Sequence, residues 1–210
     1  MFTHKVGAIA LTLLAICFGT NFGNAAETTA TVAKSTIENL QAAFDGESNA
    51  AAKYEAYAKK ADEDGYKGVG SLFRAASHAE KVHAENHAVV IKKMGAEPKA
   101  DVKVPEPKST KENLADALKG ESYERDTMYP EFIAKARADS NRDAIRTFNF
   151  AKQAEAEHAK FYKAALDSVD DWKDARDFYV CSVCGNTVLK IDFDKCPVCF
   201  EPKSAYKQIK

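Results

Sequence analysis

The feature that most constrains the fold of this chain is an internal repeat. The segment Asn39–Ser48 is NLQAAFDGES and Asn113–Ser122 is NLADALKGES, while Phe73–Ala84 is FRAASHAEKVHA and Phe148–Ala159 is FNFAKQAEAEHA. All four segments place apolar residues at helical spacing. The sequence therefore predicts two copies of one helical hairpin that face each other.

Helix start and stop signals define four amphipathic helices. They cover about Thr36–Asp64, Ser71–Met94, Ser109–Ala138 and Arg142–Val169. Capping-box pairs open the first and third helices, and glycines close the first and second. Short links within each pair predict antiparallel neighbours, and the Pro- and Lys-rich stretch Gly95–Lys108 is long enough to cross the bundle lengthwise. The predicted fold class is mainly α: a ferritin-like four-helix bundle with one long crossover.

Acidic residues interrupt the inward, otherwise apolar stripe of each predicted helix. They are Glu47 in the first helix, Glu80 with His83 in the second, Glu121 and Glu124 in the third, and Glu155 with His158 in the fourth. Burying several unpaired carboxylates together costs many kcal/mol, and a pair of divalent metal ions removes that cost. One Glu from each of two helices and a Glu-x-x-His from each of two others is the ligand set of di-iron carboxylate bundles.

The types of ligand residue narrow the choice of metal. Oxygen-rich ligation with one imidazole per metal suits iron or manganese. The alternative is that the acids are solvated and the histidines belong to an ordinary core, but six residues in duplicated register argue against it. We expect His78, which is off the stripe, to be exposed, and His87, one turn beyond His83, to be a polar neighbour of the site and not a ligand.

Two Cys-x-x-Cys pairs lie in the C-terminal tail, at Cys181 and Cys184 and at Cys196 and Cys199. Paired knuckles of this kind hold one tetrahedral metal with four thiolates, and a tail of about forty residues needs such a staple. A structural zinc ribbon has the same spacing, and disulfides would form in an oxidising compartment. The cysteines alone leave these alternatives open.

The N-terminal segment has the layout of a secretory signal peptide. His4 and Lys5 precede the apolar run Val6–Phe18, and small or polar residues follow as far as Ala26. We therefore expect an exported, periplasmic protein. The alternative is that this segment is a disordered or interfacial extension of the chain. The net charge of −1, without a basic block, predicts no nucleic-acid partner.

The bundle motifs resemble those of the rubrerythrin family over nearly all of the chain after residue 26. The matching motifs are GES at Gly46–Ser48, the pair Glu80 and His83, GESYE at Gly120–Glu124, MYPEF at Met128–Phe132, and the pair Glu155 and His158. In the tail, the Cys-Pro-Val-Cys knuckle, the glycine after Cys184, and Tyr179 resemble rubredoxin, which favours iron over zinc. The implied organisation is a signal peptide at 1–26, a di-iron bundle at 27–172 and a rubredoxin-like domain at 173–210.

The resemblance also implies an activity. In such proteins a di-iron centre reduces hydrogen peroxide to water in oxidative stress defence, with electrons delivered through the one-iron cysteine site. The residues matching Glu124 and His83 exchange as ligands of one iron with redox state, and Tyr54 and Tyr129 match tyrosines beside the metals. Two subunits pack head to tail in a homodimer, so that one chain's cysteine site serves the other's di-iron site.

Two alternatives to the peroxidase remain at this point. One is a ferroxidase or iron-handling protein, and the other is a non-enzymatic electron-transfer protein. Glu124 and the attached cysteine domain favour the peroxidase, because iron oxidation needs no electron-delivery domain. Export further implies that the electron donor is an exported or membrane-linked carrier, which the sequence does not identify.

Overall fold

The computed structural model describes residues 1–3 and 35–210. Residues 4–34, and with them most of the predicted signal peptide, lie outside the described part. The chain divides into two compact units, Met1–Ala33 and Lys34–Lys210, and the second contains every element discussed below.

Five α-helices build the bundle. They are α1 (Thr36–Glu63), α2 (Lys67–Lys93), α3 (Thr110–Tyr123), α4 (Tyr129–Ala138) and α5 (Arg142–Asp167). A π-helical segment, Glu124–Met128, joins α3 to α4, so these two helices act as one long member of a four-helix bundle. The predicted fold class is confirmed. No helix in residues 35–210 is both long enough and apolar enough to span a bilayer.

Capping interactions repeat between the two hairpins. Both predicted capping boxes are present, at Ser35 with Glu38 and at Ser109 with Glu112. In addition, the carboxylate of Asp139, at the end of α4, accepts hydrogen bonds from the backbone N–H and the hydroxyl of Thr36, at the start of α1. Asp64 does the same for Thr110 at the start of α3. Each hairpin therefore caps the first helix of the other.

The second helix begins at Lys67, four residues before the predicted Ser71, because Gly68 and Gly70 are helical here and do not break the helix. A Cβ at Gly68 would lie 2.6 Å from the carbonyl oxygen of Asp174 and 2.8 Å from that of Trp172. Glycine is therefore needed at position 68 for the close approach of the C-terminal segment, a tertiary reason that helix propensity does not reveal.

The crossover between the hairpins runs along α1. It has no strand or helix of its own, and its backbone is held by side chains one helical turn apart. The N–H groups of Lys99, Asp101 and Lys103 donate to the side chains of Gln41, Asp45 and Asn49, respectively. These bonds satisfy a backbone that would otherwise depend on water, so the predicted long crossover is an ordered part of the fold.

The C-terminal region forms a small antiparallel sheet of order β2-β1-β3. Its strands are β1 (Phe178–Cys181), β2 (Thr187–Val188) and β3 (Tyr206–Ile209). Tyr179 pairs with Val188, and Cys181 pairs with Tyr206. Phe178 and Val180 belong to the same apolar cluster as Tyr54 and Phe73 of the bundle, so the sheet is packed on the helices.

Candidate metal centres

The inward acids and histidines meet in one buried layer between two apolar clusters. Two groups of four residues each place one ligand atom per residue within 4.8 Å of the others. One group is Glu47, Glu80, His83 and Glu155, and the other is Glu80, Glu121, Glu155 and His158. Glu80 and Glu155 belong to both groups, which is the position of carboxylates that bridge two metals.

Nδ1 of both histidines faces the carboxylates. In His83 it lies 2.9 Å from Oε2 of Glu80 and 3.1 Å from Oε1 of Glu155. In His158 it lies 2.9 Å from Oε2 of Glu155, 3.4 Å from Oε1 of Glu80 and 3.5 Å from Oε2 of Glu121. The side chains of these histidines, Glu80 and Glu155 are fully buried. The Nδ1 atoms are therefore the imidazole ligands available to a metal in each group.

The donor set fits metal ions because hydrogen bonding within the protein does not satisfy it. Several buried ligand atoms lack a hydrogen-bond partner among the described residues: Oε2 of Glu47, Oε1 of Glu80, Oε2 of Glu121, both carboxylate oxygens of Glu155 and Nδ1 of His158. Orphaned polar atoms are rare in native interiors, and a cluster of them facing one point indicates an ion site.

The pKa values of the site residues also indicate that this cluster attracts positive charge. Burial, together with the charges of Glu80 and Glu155, raises the pKa of Glu121 to about 8. Burial alone would lower the pKa of His83, but the carboxylates of Glu155 and Glu80 outweigh it and raise that pKa to about 10. A proton or a metal ion is thus strongly favoured among these residues.

Two buried tyrosines donate hydrogen bonds to Glu121 and Glu47, the two carboxylates that each belong to a single metal group. The Tyr54 hydroxyl donates to Oε1 of Glu121 at 2.7 Å, and the Tyr129 hydroxyl donates to Oε1 of Glu47. The structure therefore places both tyrosines beside the metal groups, one at each side. Their positions follow the internal repeat, since they donate to Glu121 and Glu47, which are themselves repeat partners.

Glu124 is placed differently from the other predicted ligands. It belongs to neither four-residue group, and its side chain is only half-buried at the first residue of the π-helical segment. Burial of the carboxyl, followed by the charges of Glu121, Glu155 and Glu80, raises the pKa of Glu124 well above its usual value. Glu124 is therefore close enough to interact electrostatically with the site carboxylates, but it lies outside the two four-residue groups.

Among the described residues, the two remaining histidines, His87 and His78, have different surroundings. His87 is fully buried, with Nε2 3.2 Å from the Tyr129 hydroxyl and Nδ1 3.0 Å from the Thr147 hydroxyl. Burial and the charge of His83 lower the pKa of His87 to about 3, so it is a neutral link behind Tyr129. His78 is half-buried, contrary to the expectation of exposure, because the C-terminal sheet lies near it. Sequence periodicity alone did not indicate that sheet contact.

The four tail cysteines form a third group. Their Sγ atoms lie within 4.8 Å of one another, and all four are free thiols. Cys181 and Cys199 are 3.6 Å apart at Sγ, as are Cys184 and Cys196. That distance is far beyond a disulfide bond of about 2.05 Å and close to the edge of about 3.8 Å for tetrahedral thiolates around one metal. The disulfide alternative is therefore wrong for this structure.

Hydrogen bonds favour the thiolate form of one cysteine in this group, Cys181. The Cys184 thiol and the backbone N–H groups of Val183 and Cys184 donate to the Cys181 sulfur, which lowers the pKa of Cys181 to about 5 despite burial. Burial raises the pKa of Cys199 to about 12. A metal ion is the usual means of deprotonating all four thiols of such a site together.

The cysteine site lies directly against the bundle site. Nε2 of His83 is 3.1 Å from the carbonyl oxygen of Cys184, and Nε2 of His158 is 3.0 Å from the hydroxyl of Thr187. Gly185, at φ 76°, makes this approach possible, since a Cβ there would lie 2.1 Å from Nε2 of His83. Neither the role of Gly185 as a spacer nor the contact of Thr187 with a histidine is indicated by the local sequence, because both depend on residues distant in the chain.

This junction is formed within one chain. Both sites belong to residues 35–210 of the same chain, and the head-to-tail arrangement of two subunits that the resemblance implies stays a prediction. The connecting segment is fixed on α2, where Lys67 donates its N–H to the carbonyl of Lys173 and Arg176 donates its N–H to the Ser71 hydroxyl. These bonds hold the tail on its own bundle.

The fold and the two sites define a class: a four-helix di-metal carboxylate protein with a tetrathiolate metal domain. A family model described as Rubrerythrin matches residues 38–166. The chain belongs to the rubrerythrin family.

Related proteins support the assignment along most of the chain. Nigerythrin from Nitratidesulfovibrio vulgaris is 41% identical over 188 residues, covering 89% of this chain and 92% of its own length. Rubrerythrin-2 from Clostridium acetobutylicum is 35% identical over 179 residues, covering 82% of this chain and 95% of its own. A solved structure of fully reduced, all-ferrous nigerythrin matches with a TM-score of 0.78 and 40% identity, covering 90% of this chain and 94% of that one.

Family membership identifies the metals. The bundle group is the site of a di-iron centre, and the four cysteines are the site of a single iron in a rubredoxin-like domain. The predicted cofactors are thereby confirmed, and the protein is a di-iron oxidoreductase of oxidative stress defence. A bacterioferritin from Desulfovibrio desulfuricans, 22% identical with a TM-score of 0.61, shares the bundle fold.

Proposed function

We propose that this protein is a non-haem di-iron peroxidase that reduces hydrogen peroxide to two molecules of water, using two electrons and two protons. The observation that carries the proposal is the contact between the sites, in which the Cys184 carbonyl accepts a hydrogen bond from the imidazole of His83. When bound, the two ferrous ions supply the two electrons that split the O–O bond. The hydrogen bond between the two sites provides a short route by which electrons return one at a time from the cysteine site to the di-iron site.

The protein's residues have distinct roles in this proposal. Glu47 and His83 would hold one metal, Glu121 and His158 would hold the other, and Glu80 and Glu155, which belong to both groups, would serve both. Tyr54 and Tyr129 keep the carboxylates of Glu121 and Glu47 oriented through the hydrogen bonds described above. These hydrogen bonds would keep the carboxylate ligands in place when the metals and a small substrate bind.

Glu124 is the residue we assign to the change of redox state. As the family resemblance implies, it would exchange with His83 as a ligand. Its side chain is half-buried in the π-helical segment and belongs to neither four-residue group. π-helical turns are frequent at functional sites, where a local change of backbone pitch redirects a side chain. The raised pKa of the Glu124 carboxyl would let it hold a proton beside the di-iron site.

The test is anaerobic and spectroscopic. Fully reduced protein is mixed in turn with hydrogen peroxide and with oxygen while its visible absorption is followed. Rapid oxidation by peroxide, slow oxidation by oxygen, and repeated turnover with a supplied electron donor support the peroxidase. Rapid oxidation by oxygen with accumulation of ferric iron would instead support a ferroxidase. Absence of turnover with any donor would contradict an enzymatic role.

We further propose that the protein is an exported, periplasmic homodimer that receives electrons from an exported or membrane-linked carrier. The open side of the cysteine site supports an external donor, because Cys199 is only half-buried and the neighbouring Phe200 is 71% exposed. Cell fractionation tests the location: deletion of residues 1–26 is expected to retain the protein in the cytoplasm. An unchanged distribution would contradict export by this segment.

A further inference from the structure

Thr187 is a fully buried residue of β2 whose hydroxyl touches a di-iron ligand. Its Oγ1 lies 3.0 Å from Nε2 of His158, on the ring edge opposite to the one that faces the carboxylates. The two residues come from different parts of the fold, α5 and the cysteine domain. The contact is therefore a product of tertiary packing.

The direction of this hydrogen bond follows from a second one. The Thr187 hydroxyl donates its only hydrogen to the carbonyl oxygen of Gly185 at 3.0 Å. Toward His158 the hydroxyl oxygen can therefore only accept, so Nε2 of His158 carries the hydrogen. That arrangement leaves the lone pair of a neutral imidazole on Nδ1, which faces Glu155.

The other di-iron histidine has the same arrangement. A carbonyl oxygen can only accept, so the Cys184 carbonyl requires a hydrogen on Nε2 of His83 and directs its Nδ1 lone pair to the carboxylates. Both acceptors lie in the short segment from Cys184 to Thr187, the first residue of β2. This segment is held by the cysteine site, because Gly185 donates its N–H to the Cys181 carbonyl.

We propose that Thr187 is a positioning residue of the di-iron centre: it fixes His158 as an Nδ1 ligand, so that the folded cysteine domain strengthens iron binding in the bundle. The inference rests on the di-iron site described above and is independent of peroxide as the substrate. Outer hydrogen-bond partners of metal-bound histidines typically change metal affinity by about 10–100-fold.

The first measurement is metal affinity. Full chain carrying iron in the cysteine site is titrated with Co²⁺, and binding to the bundle site is followed by calorimetry and by the Co²⁺ absorption bands. Thr187→Val keeps the shape of the side chain but removes the acceptor, so we expect about 10–100-fold weaker binding. Thr187→Ser keeps the hydroxyl and should restore the wild-type affinity.

A matched control separates this contact from a general loss of hydroxyl bonding. Ser182 lies in the same domain and donates its hydroxyl hydrogen to the Ala205 carbonyl at 2.7 Å without touching a histidine. Ser182→Ala should leave Co²⁺ affinity unchanged. Weakening by Ser182→Ala as large as that by Thr187→Val would overturn the proposal.

The second measurement reports the histidine directly. In protein loaded with Zn²⁺ at all sites, long-range proton–nitrogen NMR spectra should show His158 with a hydrogen-bonded proton on Nε2. Thr187→Val should shift this resonance or lose it to solvent exchange, and Thr187→Ser should retain it. A His158 resonance unchanged in Thr187→Val, together with unchanged Co²⁺ affinity, would show that Thr187 does not position the ring.

Folding is checked through the iron–thiolate absorption of the cysteine site. An intact spectrum with weakened Co²⁺ binding supports the positioning role. If Thr187→Val and the smaller change Thr187→Ala both lose that spectrum, Thr187 is a structural residue of the cysteine domain and the proposal is overturned. Since neither readout requires peroxide turnover, failure of the peroxidase proposal would be recognised separately.

Discussion

At the scale of single residues, the site is organised by which carboxylates are shared. Glu80 and Glu155 belong to both metal groups, whereas Glu47 and Glu121 each belong to one and accept a tyrosine hydrogen bond. The internal repeat predicts this division in outline, because each hairpin contributes one acid from its first helix and one Glu-x-x-His from its second. Sharing itself depends on how closely α2 and α5 approach.

Removal of a shared carboxylate tests the site. Changing Glu155 to Ala should abolish both iron sites of the bundle, because this residue belongs to both groups and its loss removes a carboxylate that lies beside both His83 and His158. Metal analysis should then find about one iron per chain, in the cysteine site, in place of about three.

A change on the same helix provides the control for this variant. Glu157→Ala removes a carboxylate that pairs with Lys160 at the surface of α5. It should leave the iron content unchanged. Full iron content in Glu155→Ala would contradict the proposed ligand set.

The spacing between the two sites depends on one glycine. Gly185 adopts φ 76°, and its missing Cβ would lie 2.1 Å from Nε2 of His83. Changing Gly185 to Ala should push the cysteine loop from His83, break the hydrogen bond to Cys184 and slow electron transfer between the sites by at least about tenfold. Stopped-flow absorption of both iron sites measures that rate.

A second glycine provides the control for the effect of backbone strain alone. Gly95 has φ 81°, and a Cβ there would meet nothing within 4 Å. Gly95→Ala therefore introduces similar strain without a steric clash, and it should leave the rate of transfer between the sites unchanged. Equal slowing in both variants would indicate a loss of overall stability and not of the junction.

At the scale of secondary structure elements, the hairpins are linked by reciprocal caps. Sequence predicts the Ser35 and Ser109 capping boxes because their partners are three residues away. It does not predict the bonds from Asp139 to Thr36 or from Asp64 to Thr110, whose partners are distant in sequence and meet only when the hairpins pack.

The Asp139 cap makes stability depend on pH. Hydrogen bonds from Thr36 and then from Lys135 lower the pKa of Asp139 in the folded chain. The pKa of Asp139 in the folded chain therefore lies below the unfolded value of about 3.9. The ionised carboxylate stabilises the folded chain fully at pH values above about 3.9, and this stabilisation is lost as the pH falls through the folded pKa. Asp139→Asn should lower the melting temperature at pH 7, and the gap from wild type should narrow below about pH 4.

Thermal unfolding followed by circular dichroism at several pH values measures this effect. Thr36→Val removes the hydroxyl that donates to the same carboxylate and should show the same narrowing gap. The double variant should lose less than the two single losses combined, because both remove one interaction. A gap that stays constant with pH would exclude the Asp139 cap as its source.

The π-helical segment is a second element-scale finding. The motif MYPEF contains Pro130, which cannot donate a backbone hydrogen bond and therefore predicts an interruption of the helix. The structure shows that the interruption is a π turn over Glu124–Met128, in which Tyr129 donates its N–H to the Glu124 carbonyl. Pro130 predicts a disturbance of the helix, and only the structure shows that it is a π turn that precedes the proline.

At the scale of the whole molecule, the cysteine domain and the bundle share one apolar cluster. Trp172, Phe178 and Val180 pack with bundle residues such as Phe73, and the ring of Trp172 stacks on that of Phe178. The predicted boundary at 172/173 therefore lies inside one compact unit, Lys34–Lys210, which contains both kinds of metal site. A tail held in this way keeps its iron next to the bundle of its own chain.

Mixing two inactive variants tests whether electrons move within one chain. Cys196→Ser lacks the cysteine-site iron, and Glu155→Ala lacks the di-iron centre. The junction between His83 and Cys184 lies within a single chain, so we expect no recovery of peroxidase turnover after the two variants are mixed, unfolded and refolded together. Each variant refolded alone gives the background.

Recovery toward one quarter of wild-type turnover or more would contradict this expectation. It would show that the cysteine site of one subunit serves the bundle of another, as the family resemblance implies. Wild-type protein taken through the same refolding steps is the positive control. The experiment therefore separates the electron route from the oligomeric state, since either route is compatible with a dimer.

The sequence by itself determined the four helices, their duplicated register, the inward acids and histidines, and the paired cysteine knuckles. Each of these depends on residues within a few positions of one another, where helical periodicity and metal-ligand spacing are decisive. The tertiary structure alone decided which carboxylates are shared, the π turn at Glu124, and the contacts of Cys184 and Thr187 with the two histidines. These features join residues far apart in the chain, so they arise only when the elements pack.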